Sequence, residues 1–231
     1  MMRLHHCVSA RSFRPLWLLE ELGLPHELVM HAFPPRVHDE ALLEINPLGT
    51  VPALFDGEMA MTESAAICQY LASRRPEAGL DVAPSEPAYG DYLNFLHFGE
   101  ATLTFPQTLV LRYGHFEPPE RRQPQVVEDY ARWCLARLRT LVPRLEREPF
   151  ICAGRFTAAD VSVGYALLLA SHIGLDERFK PAVAAYWERL QQREAFRRAL
   201  AVERETALAQ GVSPESAMAV GKAAQSGTGP G

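Results

Sequence analysis

The strongest constraint on this fold is a change of periodicity close to residue 75. Before it, strand and helix signals alternate; after residue 88 every apolar pattern is helical. Residues 3–8 form a strand. "SARSFRPLWLLEELGLP" then reads as a turn and a helix, with Ser12 as N-cap, Pro15 in the first turn, Gly23 at the C-terminal end and Pro25 beyond. Residues 27–33 form a second strand, and "DEALLEI" a short helix. A strand opens at Pro52, turns at Asp56-Gly57 and pairs with "EMAMT" as a hairpin. A helix from Glu63 to about Arg74, capped by Thr62, closes the unit. The order is βαβ, a short helix, then ββα.

The helical patterns cover residues 88–113, 125–147, 157–173 and 181–209, with Thr157 and Asp160 forming a capping-box-like start. The expected organisation is therefore an α/β domain over 1–74, a proline-rich linker over 75–87, an all-α helical domain over 88–209, and a mobile, glycine-rich tail over 210–231.

The chain has 231 residues, and its 48% hydrophobic and 22% charged residues suit a globular protein with one large or two modest cores. A net charge of −5, without a run of Lys and Arg, argues against nucleic acid as a partner. No apolar run is long enough to cross a membrane, and "MMRLHHCV" lacks a signal-peptide core. Cys7, Cys68, Cys134 and Cys152 are scattered, as expected of reduced thiols in a cytoplasmic protein. His5, His6 and Cys7 are neighbours, but adjacent strand residues face opposite ways, so no metal site is expected.

Three places carry chemistry. Ser9 and Ser12 lie where a strand hands over to a helix N-terminus, whose unpaired N–H groups and dipole stabilise an anion such as a thiolate. Capping explains Ser12 well; for Ser9, upstream of the cap, capping and thiolate binding both stay open. No G-x-S-x-G surrounds Ser9, so acyl transfer is disfavoured. Cys7, within the strand, is expected to be buried and inert. Second, a cis Val51-Pro52 bond would turn the Val51 backbone outward for an extended peptide to pair with, whereas a trans proline would merely start an edge strand. Third, Ser64 at the closing helix's start can bind a carboxylate and Glu63 an ammonium group. A small thiol peptide with a γ-linked glutamate fits all three.

Over residues 3–205 the sequence resembles the cytosolic glutathione transferases, in "SARSFRPLWLLEELGLPHEL", "INPLGTVPALFDG", "MTESAAICQYLA" and "GRFTAADVSVGYALL". The resemblance implies a thioredoxin-like N-terminal domain, an all-helical second domain, a homodimer and glutathione as cosubstrate. By position, Ser9 matches the catalytic serine of the serine-type classes, with Ser12 as second candidate and Arg14 five residues after Ser9. Val51 and Pro52 match the backbone contact and cis-proline of the glutathione site, and Glu63 and Ser64 the pair that holds the γ-glutamyl group. Thr50 stands where many members carry Lys for the glycine carboxylate, leaving His38 or Arg36 as substitutes.

The expected reaction is attack by glutathione thiolate on a small hydrophobic electrophile held in an apolar pocket between the domains. Tyr92, Phe95, Phe98, Phe105 and Tyr113 are candidates for its wall. A glutathione-dependent isomerase, a peroxide reductase, or a non-catalytic binding or regulatory protein on the same scaffold are the alternatives.

Overall fold

The computed structural model describes residues 1–219. They form two compact units, one of residues 1–81 together with 191–217, the other built on residues 82–190.

In the first unit a four-stranded sheet has the order β2-β1-β3-β4, with β1 Met2–His6, β2 His26–Met30, β3 Ala53–Asp56 and β4 Met59–Met61. β1 runs parallel to β2, Met2 opposite His26, and antiparallel to β3, His5 opposite Ala53. The parallel pair requires a crossover, which α1 (Phe13–Leu22) supplies. Seven consecutive residues of α1, Phe13 to Leu19, are buried, so this helix is covered on every side. It ends as expected at Gly23, whose φ of 58° lets the Gly23 and Leu24 amides return to the Glu20 and Leu19 carbonyls. Two short helices, α2 (Pro35–His38) and α3 (Leu42–Ile45), lead to β3. α2 and the cis Phe33–Pro34 bond before it have no counterpart in the sequence reading. α4 (Ser64–Ser73) completes the unit.

The second unit begins with a continuous helical run of α5 (Tyr89–His97), a π stretch over Phe98–Thr104, α6 (Phe105–Leu111) and a second π stretch over Arg112–Phe116. Pro106 offers no N–H to the carbonyl four residues back, and the helix widens in the turns just before it. α7 (Pro124–Leu138) and the short α8 (Val142–Leu145) follow, then α9 (Ala158–His172) and α10 (Pro181–Gln191). α9 is buried from Ala158 through Ala170 and is the unit's central rod. Asp160 Oδ2 accepts the Thr157 N–H at 2.9 Å, the capping arrangement expected.

The π stretch crosses α9 closely. A Cβ on Gly99 would stand 2.5 Å from the Ser162 backbone and closer still to its hydroxyl, which itself donates to the Leu96 carbonyl at 2.6 Å. Gly99→Ala should therefore cost about 2 kcal/mol or more by forcing the two helices apart, read as a lowered midpoint in urea with an unchanged m-value.

The expected single helix over 181–209 is broken at residues 192 and 193, and α11 (Glu194–Ala209) belongs to the first unit. The helical region expected as one domain over 88–209 is thus divided. Phe196 explains the placement: its ring meets Phe13 and Trp17 edge-on, at centroid distances of 5.6 and 4.9 Å. Arg193 adds a bidentate pair with Glu21 at 2.6 and 2.8 Å.

The tail expected to be mobile from Gln210 begins otherwise. Gln210 accepts the Met30 N–H and donates to the Leu28 carbonyl, both at 2.8 Å, and so covers the open edge of β2. Residues 220–231 of that expected tail lie outside the described residues.

Candidate functional site

Ser9, Val51-Pro52 and Ser64 come from three separate stretches, and the first unit's topology gathers them. β1 ends at His6 and β3, antiparallel to it, starts at Ala53 opposite His5. The turn over residues 7–12 and the Val51-Pro52 bond therefore leave the same end of the sheet. That bond is cis, and Val51 stands just outside the ladder, which begins at Ala53.

α4 joins them through Arg14. This fully buried guanidinium, in the first turn of α1, donates from Nη1 to Ser64 Oγ at 3.2 Å. Ser64 is the first residue of α4. One side chain thus ties together the N-terminal turns of two ten-residue helices, each carrying partial positive charge. Arg14 is a positioning group here, acting on Ser64. Glu63, not Thr62, occupies the N-cap position of α4 and is exposed, because the chain remains extended through Glu63 (φ −87°, ψ 112°).

Ser9 is buried and has a φ of 55°, a left-handed conformation that a serine adopts only when its surroundings fix it. The fixing contact comes from α11: Glu203 Oε2 accepts the Ser9 N–H at 2.8 Å. The same oxygen lies 2.7 Å from His6 Nε2, and all three residues are buried. Ser12 occupies the N-cap position of α1 without capping it. Its hydroxyl is turned back to accept the Cys7 N–H at 3.4 Å, and the residue is fully buried. The capping role expected of Ser12 is thus replaced by bracing of the turn. Cys7 is buried as expected; burial first, and the Glu203 charge second, push its thiol up to about 12, which leaves it protonated and unreactive at neutral pH.

His5 and His6 face opposite sides of the sheet. His6 meets Glu203, whereas His5 Nδ1 lies 2.9 Å from His31 Nε2, and His31 Nδ1 lies 2.7 Å from Asp39 Oδ2. Burial, then the neighbouring His31 and Arg3, lower His5 to about 4, so it is neutral at physiological pH. This chain of side chains pins the end of α2 to the sheet, beside the exposed His38. Arg36, also on α2, sits under the loop before Val51: a Cβ on Gly49 (φ 61°) would lie 2.8 Å from Arg36 Cβ. Thr50 is exposed, and its carbonyl and hydroxyl both accept from Asn46 Nδ2, at 2.8 and 3.2 Å. Among the described residues no group of three His, Cys, Asp or Glu side chains is placed to hold a metal ion.

Glu203 and the His31–Asp39 pair are the parts of this site that sequence reasoning missed. Glu203 carried one legible signal, being the sole charged residue on a buried stripe with Phe196, Ala199 and Ala207. Of the proposed pocket-wall aromatics, Tyr92 is fully buried core, Phe95 and Phe98 pair edge-to-face at 5.9 Å, and Phe105 is 52% exposed.

Residues 8–74 match the family model described as the glutathione S-transferase N-terminal domain. The chain is 32% identical over 168 residues to glutathione S-transferase GstA of Escherichia coli O157:H7, covering 69% of this chain and 76% of that protein. It is 29% identical over 205 residues to glutathione S-transferase 3 of Zea mays, covering 84% of this chain and 90% of the maize protein. Among solved structures, a sphingomonad glutathione S-transferase complexed with glutathione superposes with a TM-score of 0.76 at 26% identity, covering 91% of this chain and all of that one.

Proposed function

The chain belongs to the glutathione S-transferase family, and from that premise we propose how its own residues perform the transfer. Glutathione lies along the end of the sheet as an added strand, its cysteinyl backbone paired with Val51 beside Pro52. Ser64 and Glu63 hold the γ-glutamyl carboxylate and ammonium, and Arg36 or His38 the glycine carboxylate. The glutathione thiol gives up its proton to solvent, and Ser9 Oγ–H donates to the resulting thiolate sulfur. The thiolate then attacks the electrophilic carbon; a C–S bond forms, and the leaving group departs with its bonding electrons.

The observation that carries this reading is the buried Arg14–Ser64 bond, which holds the first turns of α1 and α4 together. Two helix N-termini and a buried cation make a place for a carboxylate and a thiolate, the two anions glutathione brings to this end. A free thiol of pKa about 8.5 is a few per cent ionised at neutral pH, and lowering it by about two units takes about 2.7 kcal/mol of preferential stabilisation. One charge-assisted hydrogen bond and a helix terminus supply energy of that order.

Retention on immobilised glutathione and conjugation of a chloronitrobenzene test the reading; a well-folded protein that does neither would refute it. Turnover of cumene hydroperoxide exceeding conjugation would point instead to peroxide reduction. Ser64→Ala should raise KM for glutathione by about tenfold while leaving kcat within about threefold, because the lost bond is made in ground and transition state alike. Steady-state kinetics at varied glutathione reads this directly. We also assign a homodimer, tested by light scattering, and a cytoplasmic setting in keeping with four free cysteines.

A further inference from the structure

We propose that Glu203 is a positioning residue for thiol activation, holding the Ser9 turn from behind through the Ser9 N–H. The proposal rests on the transferase reading above. Three observations carry it. The Ser9 backbone is left-handed, and its N–H ends on Glu203 Oε2, 194 residues away in sequence. The carboxylate is buried, so its bonds to Ser9 and His6 are shielded from water. Finally, His6 Nε2 lies 2.7 Å from the same Glu203 oxygen, while the ring's Nδ1 is buried without a hydrogen-bond partner. Glu203 Oε2 is thus shared between the Ser9 amide and the His6 ring.

Two consequences separate. As an acceptor, Glu203 fixes where the Ser9 hydroxyl points. As a charge, it works against a thiolate held at the same turn, as it does against Cys7. Of the charged groups on the surrounding elements, Arg14 lies on Ser64, Glu20 on Arg198, Glu21 on Arg193, Arg3 on Glu27, His31 on Asp39 and Arg204 on Glu215, while Arg11 belongs to the Ser9 turn itself. His26, on β2, lies against the Leu24 carbonyl.

The variants E203Q and E203A distinguish the two effects in conjugation assays across pH, with titration of the bound thiolate by its ultraviolet absorbance. E203Q keeps an acceptor and loses the charge. It should lower the apparent thiol pKa by about half a unit, with about threefold more conjugation on the acid side. E203A loses the acceptor and should cut kcat about tenfold or more, with KM for glutathione within about threefold of wild type. A purely structural residue would lower stability without moving the thiol pKa. An E203A protein that folds and keeps the wild-type kcat overturns the positioning role, and an E203Q protein whose thiol titrates as wild type overturns the charge effect. Should E203A not fold, E203D, which keeps the charge and withdraws the acceptor by one methylene, overturns the positioning role if its kcat is that of wild type. Should the wild-type protein itself neither bind nor conjugate glutathione, the transferase reading fails first and takes the proposal with it.

Discussion

Ser9→Ala is expected to raise the apparent pKa of bound glutathione by about one to two units, and to cut conjugation at neutral pH by about 10- to 100-fold. The range is that of one hydrogen bond to a charged acceptor, about 1.5–3 kcal/mol, converted at about 1.4 kcal/mol per tenfold. The loss should shrink as pH rises, since the free thiol ionises unaided above its own pKa. KM for glutathione should change little, because Val51, Glu63 and Ser64 are left in place. A parallel Ser9→Gly variant controls for the backbone: the φ of 55° suits glycine, so equal losses in the two variants assign the effect to the hydroxyl. Unchanged activity and pH profile in Ser9→Ala would remove Ser9 from the mechanism. Ser12 would then come under test, although its burial and its bond with the Cys7 amide give it little access.

Asp160→Ala should have the largest effect on stability, about 3–5 kcal/mol, enough to leave much of the protein unfolded at physiological temperature. The carboxylate is fully buried and accepts from the Ile151 N–H (3.1 Å), the Thr157 N–H (2.9 Å), the Thr157 hydroxyl (3.2 Å) and the Tyr186 hydroxyl (2.7 Å). Alanine leaves every one of those donors buried and unmet. Denaturation in urea and far-ultraviolet dichroism measure the loss; a change below about 1 kcal/mol would contradict it. The pH dependence has a definite sign. Burial raises Asp160 to about 6, against the pull of its donors. Its folded value exceeds the unfolded one of about 3.9, so the contribution is complete below that value and is lost as pH rises through about 6. Asp160→Asn should flatten that part of the stability curve.

What could be read in the sequence was whatever is decided within a few residues. The Gly23 stop and the Thr157–Asp160 start are local arrangements of cap residues that stand where expected. The hairpin forms with its turn shifted by one residue, to Gly57-Glu58, because Asp56 pairs with Met59 as the last residue of β3. Ser12 shows the limit even at short range. Its position next to a helix start is legible, but the hydroxyl's choice of the Cys7 amide depends on how the turn closes. The Arg193 break and the transfer of α11 to the first unit depend on Phe196 finding Phe13 and Trp17, a pairing that periodicity cannot express. Glu203 belongs to the same class. A glutamate on a helix is ordinarily a solvated residue, and its partners His6 and Ser9 are known only once the chain ends have met.

The seating of α11 against α1 has a consequence for the order in which this protein can be made. A chain emerging from the ribosome presents β1, α1 and the rest of the sheet early, yet the Ser9 amide meets Glu203 and the Trp17 ring meets Phe196 edge-on only once α11 follows. Until α11 has been released, α1 keeps the apolar flank on which Phe196 packs open. Closing it joins segments 194 residues apart, a contact of very high sequence separation whose loop entropy is met only once α11 has emerged. The turn that carries Ser9 is therefore completed only after α11 has been made, and a chain cut short before α11 lacks the acceptor for the Ser9 amide.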